Sequence, residues 1–288
     1  MNEELRRVQQ QDKADKAGYD DLYGRESAVW SRFPDLEAFV KHFSRELSPY
    51  FRGGNTKGYV RGLATQTLLN RAQALRRPFD TIRIVDAGFG EGKLSIYLAA
   101  QGFRVIGVDI SEAAAKVASA AAQKLGVNDR CQFLAESLER TSIEPASIDF
   151  VIGHASLHHF IKYAGVPREF MRIMKPGAEG FFADSFSENR LYHLFQDHEK
   201  MRRLGDVRLT KALIEDYFAG FEPQLVPTDW FVMLDKLFLK ALPGAMRPLV
   251  ARLSRVNFAI DRRMPVDSRV ALYLAGGVFT WIRRPAAP

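Results

Sequence analysis

From Thr81 onward, short apolar runs alternate with longer segments that have helical spacing of their apolar residues. We expect helices between the strands, with Ser111 as the cap that begins the helix at residues 113–125 and Gly126 at its end. A parallel sheet with crossover helices is typical of this alternation. The predicted strands are residues 82–87, 104–109, 130–135, 149–154 and 180–183.

The chain before these strands has a different pattern. Apolar residues recur at helical spacing over residues 36–47 and again over residues 59–75. We therefore expect residues 1–78 to form a helical cap or lid and residues 79–288 to form the sheet domain.

Two further apolar runs follow, near residues 225–233 and 270–282, and they would bring the sheet to seven strands. Between them, at about residues 234–265, two apolar stripes are interrupted by Pro243-Gly244. This pattern predicts a basic, amphipathic helical insertion before the last strand.

Charge is concentrated in that insertion. The net charge of the chain is +7, and residues 235–263 contain seven basic side chains against two acidic ones. Such a surplus suits nucleic acid, an anionic lipid surface or an acidic substrate, and it is also common on solvated faces. Three functional roles stay open for residues 234–263, namely a substrate lid, a homodimer surface and a peripheral membrane contact.

Cys131 is the single cysteine of the chain. It excludes an intramolecular disulfide, a zinc site with several cysteines and a CxxC redox pair. No apolar stretch approaches the roughly 20 residues of a membrane helix, and the first residues lack the apolar core of a signal peptide. We therefore expect a cytoplasmic protein.

The first predicted strand ends in a glycine-rich turn, Gly88-Phe89-Gly90-Glu91-Gly92. Glycines allow positive φ and a close approach of a ligand to the backbone, and the N–H groups of the following helix point at that ligand. The spacing is GxGxG, whereas dinucleotide-binding turns have GxGxxG and P-loops have a GxxxxGK sequence. The turn therefore predicts a nucleotide-like ligand of another kind.

This turn resembles motif I of the class I S-adenosylmethionine-dependent methyltransferases. Four later segments resemble the family in the same order, at residues 105–109, 133–138, 149–154 and 174–177. The resemblance implies a Rossmann-like fold with a mostly parallel seven-stranded sheet and helices on both faces. It also implies S-adenosyl-L-methionine as cofactor and S-adenosyl-L-homocysteine as product, and it makes residues 79–288 the catalytic domain.

The resemblance also assigns the cofactor contacts. Asp109 would accept both ribose hydroxyls, and Glu136 would meet the adenine amino group, at a position where Asp is commoner in the family. The complete predicted set is Asp86, Gly88, Gly90, Gly92, Asp109, Ile110, Glu136, Ser137 and His154.

Three histidines follow the fourth predicted strand, where the transferred methyl group is expected. Neutral imidazole suits removal of a proton from a hydroxyl, phenol or ammonium group. We name His158, then His154, then His159 as candidate bases, with simple helix capping as the alternative. No metal is predicted, because the adjacent side chains of His158 and His159 are expected to point apart.

Substrate contacts are expected from two places. Tyr19 and Tyr23 would form a lid over an apolar substrate, and Asp184, Asn189 and His193 follow the fifth strand, where related enzymes often contact substrate. The alternatives are aromatic packing of the cap onto the sheet and an ordinary loop.

Together these features predict a methyltransferase for a small apolar or aromatic metabolite, with O-methylation ahead of N- or C-methylation. A nucleic-acid partner is not expected, since the fourth strand lacks the Asn/Asp-Pro-Pro-Tyr/Phe turn used for exocyclic amines of bases. Three alternatives stay open, namely a lipid-linked, quinone or glycan substrate at a membrane surface, an RNA substrate, and a catalytically silent binding subunit.

Overall fold

The structure, a computed structural model, describes residues 16–23, 27–47, 58–187, 206–228 and 275–286. The predicted insertion at about 234–265 lies outside the described residues, as do Asn189 and His193.

Seven strands form a single sheet in the order β3-β2-β1-β4-β5-β7-β6. Neighbouring strands among the first five pair in parallel, whereas β7 is antiparallel to both β5 and β6. This confirms the predicted mostly parallel seven-stranded sheet. The strands are β1 (Arg83–Ala87), β2 (Arg104–Asp109), β3 (Cys131–Ala135), β4 (Ile148–His154), β5 (Met174–Ser185), β6 (Gln224–Thr228) and β7 (Gly277–Arg283).

Helices cover both faces of this sheet, because alternate residues of the central strands face opposite sides. Ile84 belongs to one hydrophobic cluster and its neighbour Val85 to the other. Residues 16–23 are also helical, and within the described ranges short 3₁₀ helices occupy Ser27–Arg32, Phe79–Thr81 and Ala219–Phe221. The α-helices are α1 (Leu36–Glu46), α2 (Gly58–Ala74), α3 (Lys93–Ala100), α4 (Glu112–Lys124), α5 (Leu157–Phe160), α6 (Val166–Ile173) and α7 (Lys211–Tyr217).

The predicted cap of α4 is confirmed. The side chain of Ser111 accepts a hydrogen bond from the backbone N–H of Ala114 at 3.0 Å, and Gly126 follows the helix at a φ of +71°. The helix therefore begins and ends where its capping residues predict.

β5 is longer than predicted and includes the four residues that read as a turn in the sequence. Met174 pairs with Ile148 of β4, and the N–H of Gly177 donates to the carbonyl of Arg284 at 3.1 Å. The register between β4 and β5 shifts between Ile148 and Phe150. Pro176 and Gly177 are accommodated at this irregularity, so that the strand continues through turn-forming residues.

Helices α1 and α2 share a hydrophobic cluster with the sheet. Phe39 and Leu68 are fully buried in the same cluster as Phe181 of β5. α2 packs on β4, β5 and β7, and its first turns lie near the carboxyl ends of β4 and β5. The division into a cap ending at residue 78 and a separate catalytic domain stays a prediction. Within the described ranges, no helix is both long and apolar enough to cross a lipid bilayer.

Candidate functional site

A cavity of about 390 Å³ lies at the carboxyl ends of β1, β2 and β4. Ligands of open α/β sheets bind at this edge, beside the point where the strand order reverses, which here separates β1 from β4. The volume falls in the range of small-molecule sites, roughly 300–1,000 Å³. The walls come from the glycine turn, the ends of β2 and β4, and the helices near the N-terminus.

The glycine turn forms part of the cavity wall. Gly88, Gly90 and Gly92 all have positive φ, between +55° and +78°. Gly88 and Gly90 line the cavity, whereas Gly92 is not among the lining residues. A Cβ at Gly92 would lie 2.6 Å from that of Ala118. Gly92 therefore permits close packing of the turn on α4 rather than contact with a ligand.

Two carboxylates support this turn and also line the cavity. Asp86 is buried and accepts a hydrogen bond from Ser95 Oγ at 2.6 Å, and burial raises its pKa to about 7. Asp109 accepts from the backbone N–H of Gly90 and of Ser111, both at 3.1 Å, and burial raises its pKa to about 6. A carboxylate has about four acceptor positions, so Asp109 retains capacity for ligand hydroxyls.

Only some of the residues predicted to contact the adenine line the cavity. Ile110, Ser137 and Leu138 line the cavity. Glu136 does not, because its carboxylate accepts hydrogen bonds from the backbone N–H of Ser142 at 2.8 Å and from the Ser142 hydroxyl at 2.7 Å. The side chain thus holds the loop after β3, and the structure does not place it in the cavity wall.

The helical residues 16–23 cover one side of the cavity. Tyr19 and Tyr23 line it with their rings stacked at 6.3 Å, and Tyr19 meets the His159 ring edge-on at 5.3 Å. Between them, Asp20 accepts from the Ser111 hydroxyl at 2.6 Å and from the backbone N–H of Ala113 at 3.0 Å. Asp20, which sequence reasoning missed, ties this segment to the first turn of α4.

Arg61 is a second cavity residue that the sequence did not indicate. Arg61 is half-buried and lines the cavity, and its buried Nε has no hydrogen-bond partner among the described residues. Burial lowers its pKa, although Asp184 and Glu46 oppose this shift. Among the described residues, no carboxylate forms an ion pair with Arg61. A buried guanidinium in this state favours an anionic ligand.

The three predicted histidines differ in position. His154 ends β4 and lines the cavity, with Nε2 at 3.1 Å from Thr65 Oγ1. Burial and the nearby Arg61 lower its pKa to about 3, so it is a poor proton acceptor at neutral pH. His158 is not among the lining residues, because its Nδ1 binds the carboxylate of Asp184. His159 lines the cavity, and burial and His158 lower its pKa.

Asp184 supports the turn after β4, whereas the sequence predicted that it contacts the substrate. It is 3 % exposed, and its Oδ2 accepts from the backbone N–H of Ser156 at 3.2 Å and of Leu157 at 3.0 Å. With Oδ1 bound to His158, the carboxylate organises the turn after β4 and does not line the cavity.

The expectation that His158 and His159 point apart is wrong. Their ring centroids are 3.8 Å apart, and both rings approach Asp206. His159 Nδ1 lies 2.7 Å from Asp206 Oδ1, and His158 Nε2 lies 3.9 Å from Asp206 Oδ2. The backbone N–H of Val207 donates to the carbonyl of His158 at 2.9 Å, which positions Asp206 beside both rings. No sequence signal linked Asp206 to this turn.

Comparison with known proteins gives a family match for the central part of the chain. Residues 85–182 match a family described as "Methyltransferase domain". The matched residues run from β1 to β5 and include the glycine turn, Asp109 and the turn after β4.

Two curated relatives and one solved structure extend this comparison. The chain is 31% identical over 144 residues to the tRNA 5-carboxymethoxyuridine methyltransferase of Escherichia coli K12, covering 50% of this chain and 53% of that protein. It is 30% identical over 148 residues to the 27-O-demethylrifamycin SV methyltransferase of Amycolatopsis mediterranei, covering 49% and 54%. The chain thus spans about half the length of these relatives.

The solved structure is a phosphoethanolamine N-methyltransferase 2 of Haemonchus contortus in complex with S-adenosylhomocysteine. Its TM-score is 0.53 at 17% identity, over 77% of this chain and 52% of that one. At this identity the likeness concerns the fold alone.

Proposed function

We propose that the chain transfers the methyl group of S-adenosylmethionine to a small apolar or aromatic metabolite, with oxygen as the acceptor atom. The match of residues 85–182 to a methyltransferase domain supports this proposal. The observation that supports this proposal most directly is the cavity, where the glycine turn, Asp109 and Arg61 meet an aromatic wall.

The residues that line the cavity favour one orientation of the donor. Asp109 would accept the ribose hydroxyls, and the adenine would lie against Ile110 and Leu138 beside Ser137. The α-carboxylate is the one anionic group of S-adenosylmethionine. Arg61 has a buried guanidinium without an ion pair from the described residues, so we assign this carboxylate to Arg61.

The acceptor would occupy the part of the cavity next to β4. Its walls include Tyr19, His159, Phe160 and Tyr163, which favour a planar or apolar molecule. In the reaction, the acceptor oxygen forms a bond to the methyl carbon while the C–S bond breaks and its electron pair returns to sulfur. The hydroxyl proton has to leave. Among the predicted catalytic histidines we assign its removal to His159, because His159 lines the cavity and lies beside the aromatic acceptor region.

RNA methylation is the second candidate. It is favoured by the similarity to a tRNA methyltransferase and by the five net positive charges of residues 235–263. We rank RNA methylation second because the residues that line the acceptor part of the cavity are aromatic rather than basic.

Labelled S-adenosylmethionine distinguishes these functions. The protein is incubated with the labelled donor and extracts of its source organism, and the products are separated into small molecules, RNA and protein before mass spectrometry. We expect label in the small-molecule fraction, whereas label in RNA would favour the second candidate. Binding of S-adenosylmethionine and S-adenosylhomocysteine is measured separately by calorimetry. Intact binding with no transfer to any fraction would indicate a silent binding protein, and preferential binding of NAD would contradict the donor assignment.

A further inference from the structure

Three side chains form a cluster beside the acceptor end of the cavity, and two of them, His158 and Asp206, have no part in the proposed methyl transfer. Nitrogen atoms of His158 and His159 and a carboxylate oxygen of Asp206 lie within 4.8 Å of one another. We call these three residues the His-His-Asp cluster. His159 also lines the cavity, so the cluster borders the space assigned to the acceptor.

The donor set of this cluster is one that metals prefer. Two imidazoles and one carboxylate bind divalent first-row metals such as Zn²⁺, Fe²⁺, Co²⁺ and Mn²⁺. Three protein ligands leave further coordination positions open, which is the arrangement of catalytic rather than structural metal sites.

His159 and Asp206 make a close contact inside the cluster. His159 Nδ1 and Asp206 Oδ1 are buried and 2.7 Å apart, at ion-pair distance. The cluster therefore gathers nitrogen and oxygen donors in one small buried volume. A cation bound by both residues would replace their direct contact.

The residues around the cluster also match those of a metal site. A metal-binding histidine usually donates its other ring N–H to a carboxylate, which fixes the ring and its tautomer. Asp184 meets His158 in this way at Nδ1, and the 3.9 Å approach to Asp206 involves the other ring nitrogen, Nε2. Asp184 itself is held by two backbone N–H groups.

We propose that the His-His-Asp cluster binds one divalent transition-metal ion, and that this ion binds the oxygen of the acceptor. Binding of the metal stands independently of methyl transfer, whereas its role toward an acceptor rests on the proposed function. With the ion bound, His159 would act as a metal ligand and not as the proton acceptor. Coordination would lower the pKa of the hydroxyl, its proton would leave to water, and the resulting oxyanion would attack the methyl carbon. The substrate class is therefore narrowed to phenols, enols and other hydroxyl compounds.

Cobalt provides a test that needs no substrate. Untagged full-length protein is treated with a chelator and titrated with Co²⁺, and binding is followed by visible absorption and by competition with Zn²⁺ in calorimetry. We expect one equivalent to bind. Asp206→Asn should weaken binding at least ~10-fold, and Asp184→Asn should weaken it by about 10- to 100-fold. Asp216→Asn, an exposed aspartate on α7, is the matched control and should bind as the wild type does.

The outcomes separate the metal proposal from the proposed function. The absence of saturable Co²⁺ binding to the wild type would overturn the metal site, even if S-adenosylmethionine binds and label is transferred. Equal affinities of the wild type and Asp206→Asn would overturn it as well. Specific Co²⁺ binding without S-adenosylmethionine binding would support the metal site and contradict the proposed function.

Circular dichroism first establishes that each variant is folded. If Asp206→Asn does not fold, His159→Gln replaces it, with the same expected loss of affinity. If the wild type does not bind Co²⁺, the metal proposal is contradicted whether or not the variants fold.

Discussion

The carboxylate of Asp109 accepts a hydrogen bond from the backbone N–H of Gly90 at 3.1 Å. The acid at the end of β2 therefore fixes the glycine turn at the end of β1. A second bond, from the N–H of Ser111 at 3.1 Å, connects the same carboxylate to the start of α4. Asp109, the residue predicted to bind the ribose, is thus also the residue that shapes the loop predicted to contact the cofactor.

Replacement of Asp109 tests both roles. Asp109→Ala should weaken S-adenosylhomocysteine binding at least ~10-fold, since hydrogen bonds to a charged group contribute about 1.5–3 kcal/mol each. The wild type should also lose affinity as the pH falls through about 6, the pKa of this buried carboxylate, because the protonated acid is a poorer acceptor. Asp109→Asn should lack that pH dependence. Calorimetry at several pH values checks this, with Asp129→Asn as a control on an exposed turn. Unchanged affinity in Asp109→Ala would contradict the ribose assignment.

Arg61 can be tested with a ligand that lacks the carboxylate. Arg61→Ala should weaken binding of S-adenosylhomocysteine by about 10- to 100-fold, the equivalent of losing charge-assisted hydrogen bonds. Binding of 5′-methylthioadenosine, which has no carboxylate, should not change. The control is Arg168→Ala, an exposed arginine on α6. Equal losses for both ligands would mean that Arg61 stabilises the site without binding the methionine part.

Asp20 should control how long the donor stays bound. Asp20→Ala removes two acceptor contacts to the first turn of α4, and losses at helix N-termini are about 0.5–2 kcal/mol. We expect the donor to dissociate about 2- to 30-fold faster, as measured by stopped-flow fluorescence. An unchanged dissociation rate would show that residues 16–23 do not retain the ligand.

Gly92 and Gly126 have the same backbone conformation, so their alanine variants separate the cost of a steric clash from the cost of backbone strain. Gly92 and Gly126 have φ of +78° and +71°, but a Cβ would clash with Ala118 only at Gly92. Gly126→Ala should cost about 1–2 kcal/mol of unfolding free energy from the backbone alone. Gly92→Ala should cost about 1–3 kcal/mol more. Urea unfolding of both variants measures the difference, and equal losses would contradict the packing role of Gly92.

His159 should affect turnover rather than donor binding. Once the acceptor is identified, His159→Ala should lower kcat by about 10²- to 10⁴-fold, the usual contribution of proton removal. S-adenosylhomocysteine affinity, measured by calorimetry, should stay near that of the wild type. His42→Ala, whose histidine is not among the cavity residues, is the control. A variant with full activity would exclude His159 from catalysis.

Much of the fold could be predicted because its signals are local. β2 has the predicted bounds, and α4 begins after its predicted cap, since apolar periodicity and capping are encoded in adjacent residues. β5 was underestimated because Pro176 and Gly177 resemble a turn when the pairing partners Ile148 and Arg284 are unknown.

The site was harder to predict, because the position of a residue in a strand determines where it lies in the fold but not which groups its side chain contacts. Glu136 follows β3 as expected, yet the nearby Ser142 provides two donors for its carboxylate. Arg61 and Asp206 come from segments distant in sequence, and neither has a periodic or motif signal. Their roles depend on tertiary contacts that no short window contains.

The helical residues 16–23 contact both ends of the cavity within a single turn. Asp20 bonds to the helix beside Asp109, while the adjacent Tyr19 meets the ring of His159. A displacement of this helical turn at the donor end of the cavity therefore disturbs the acceptor end, and the reverse also holds. Such coupling between two binding sites is reciprocal. Donor and acceptor should accordingly bind cooperatively, with two neighbouring side chains as the physical basis of the coupling.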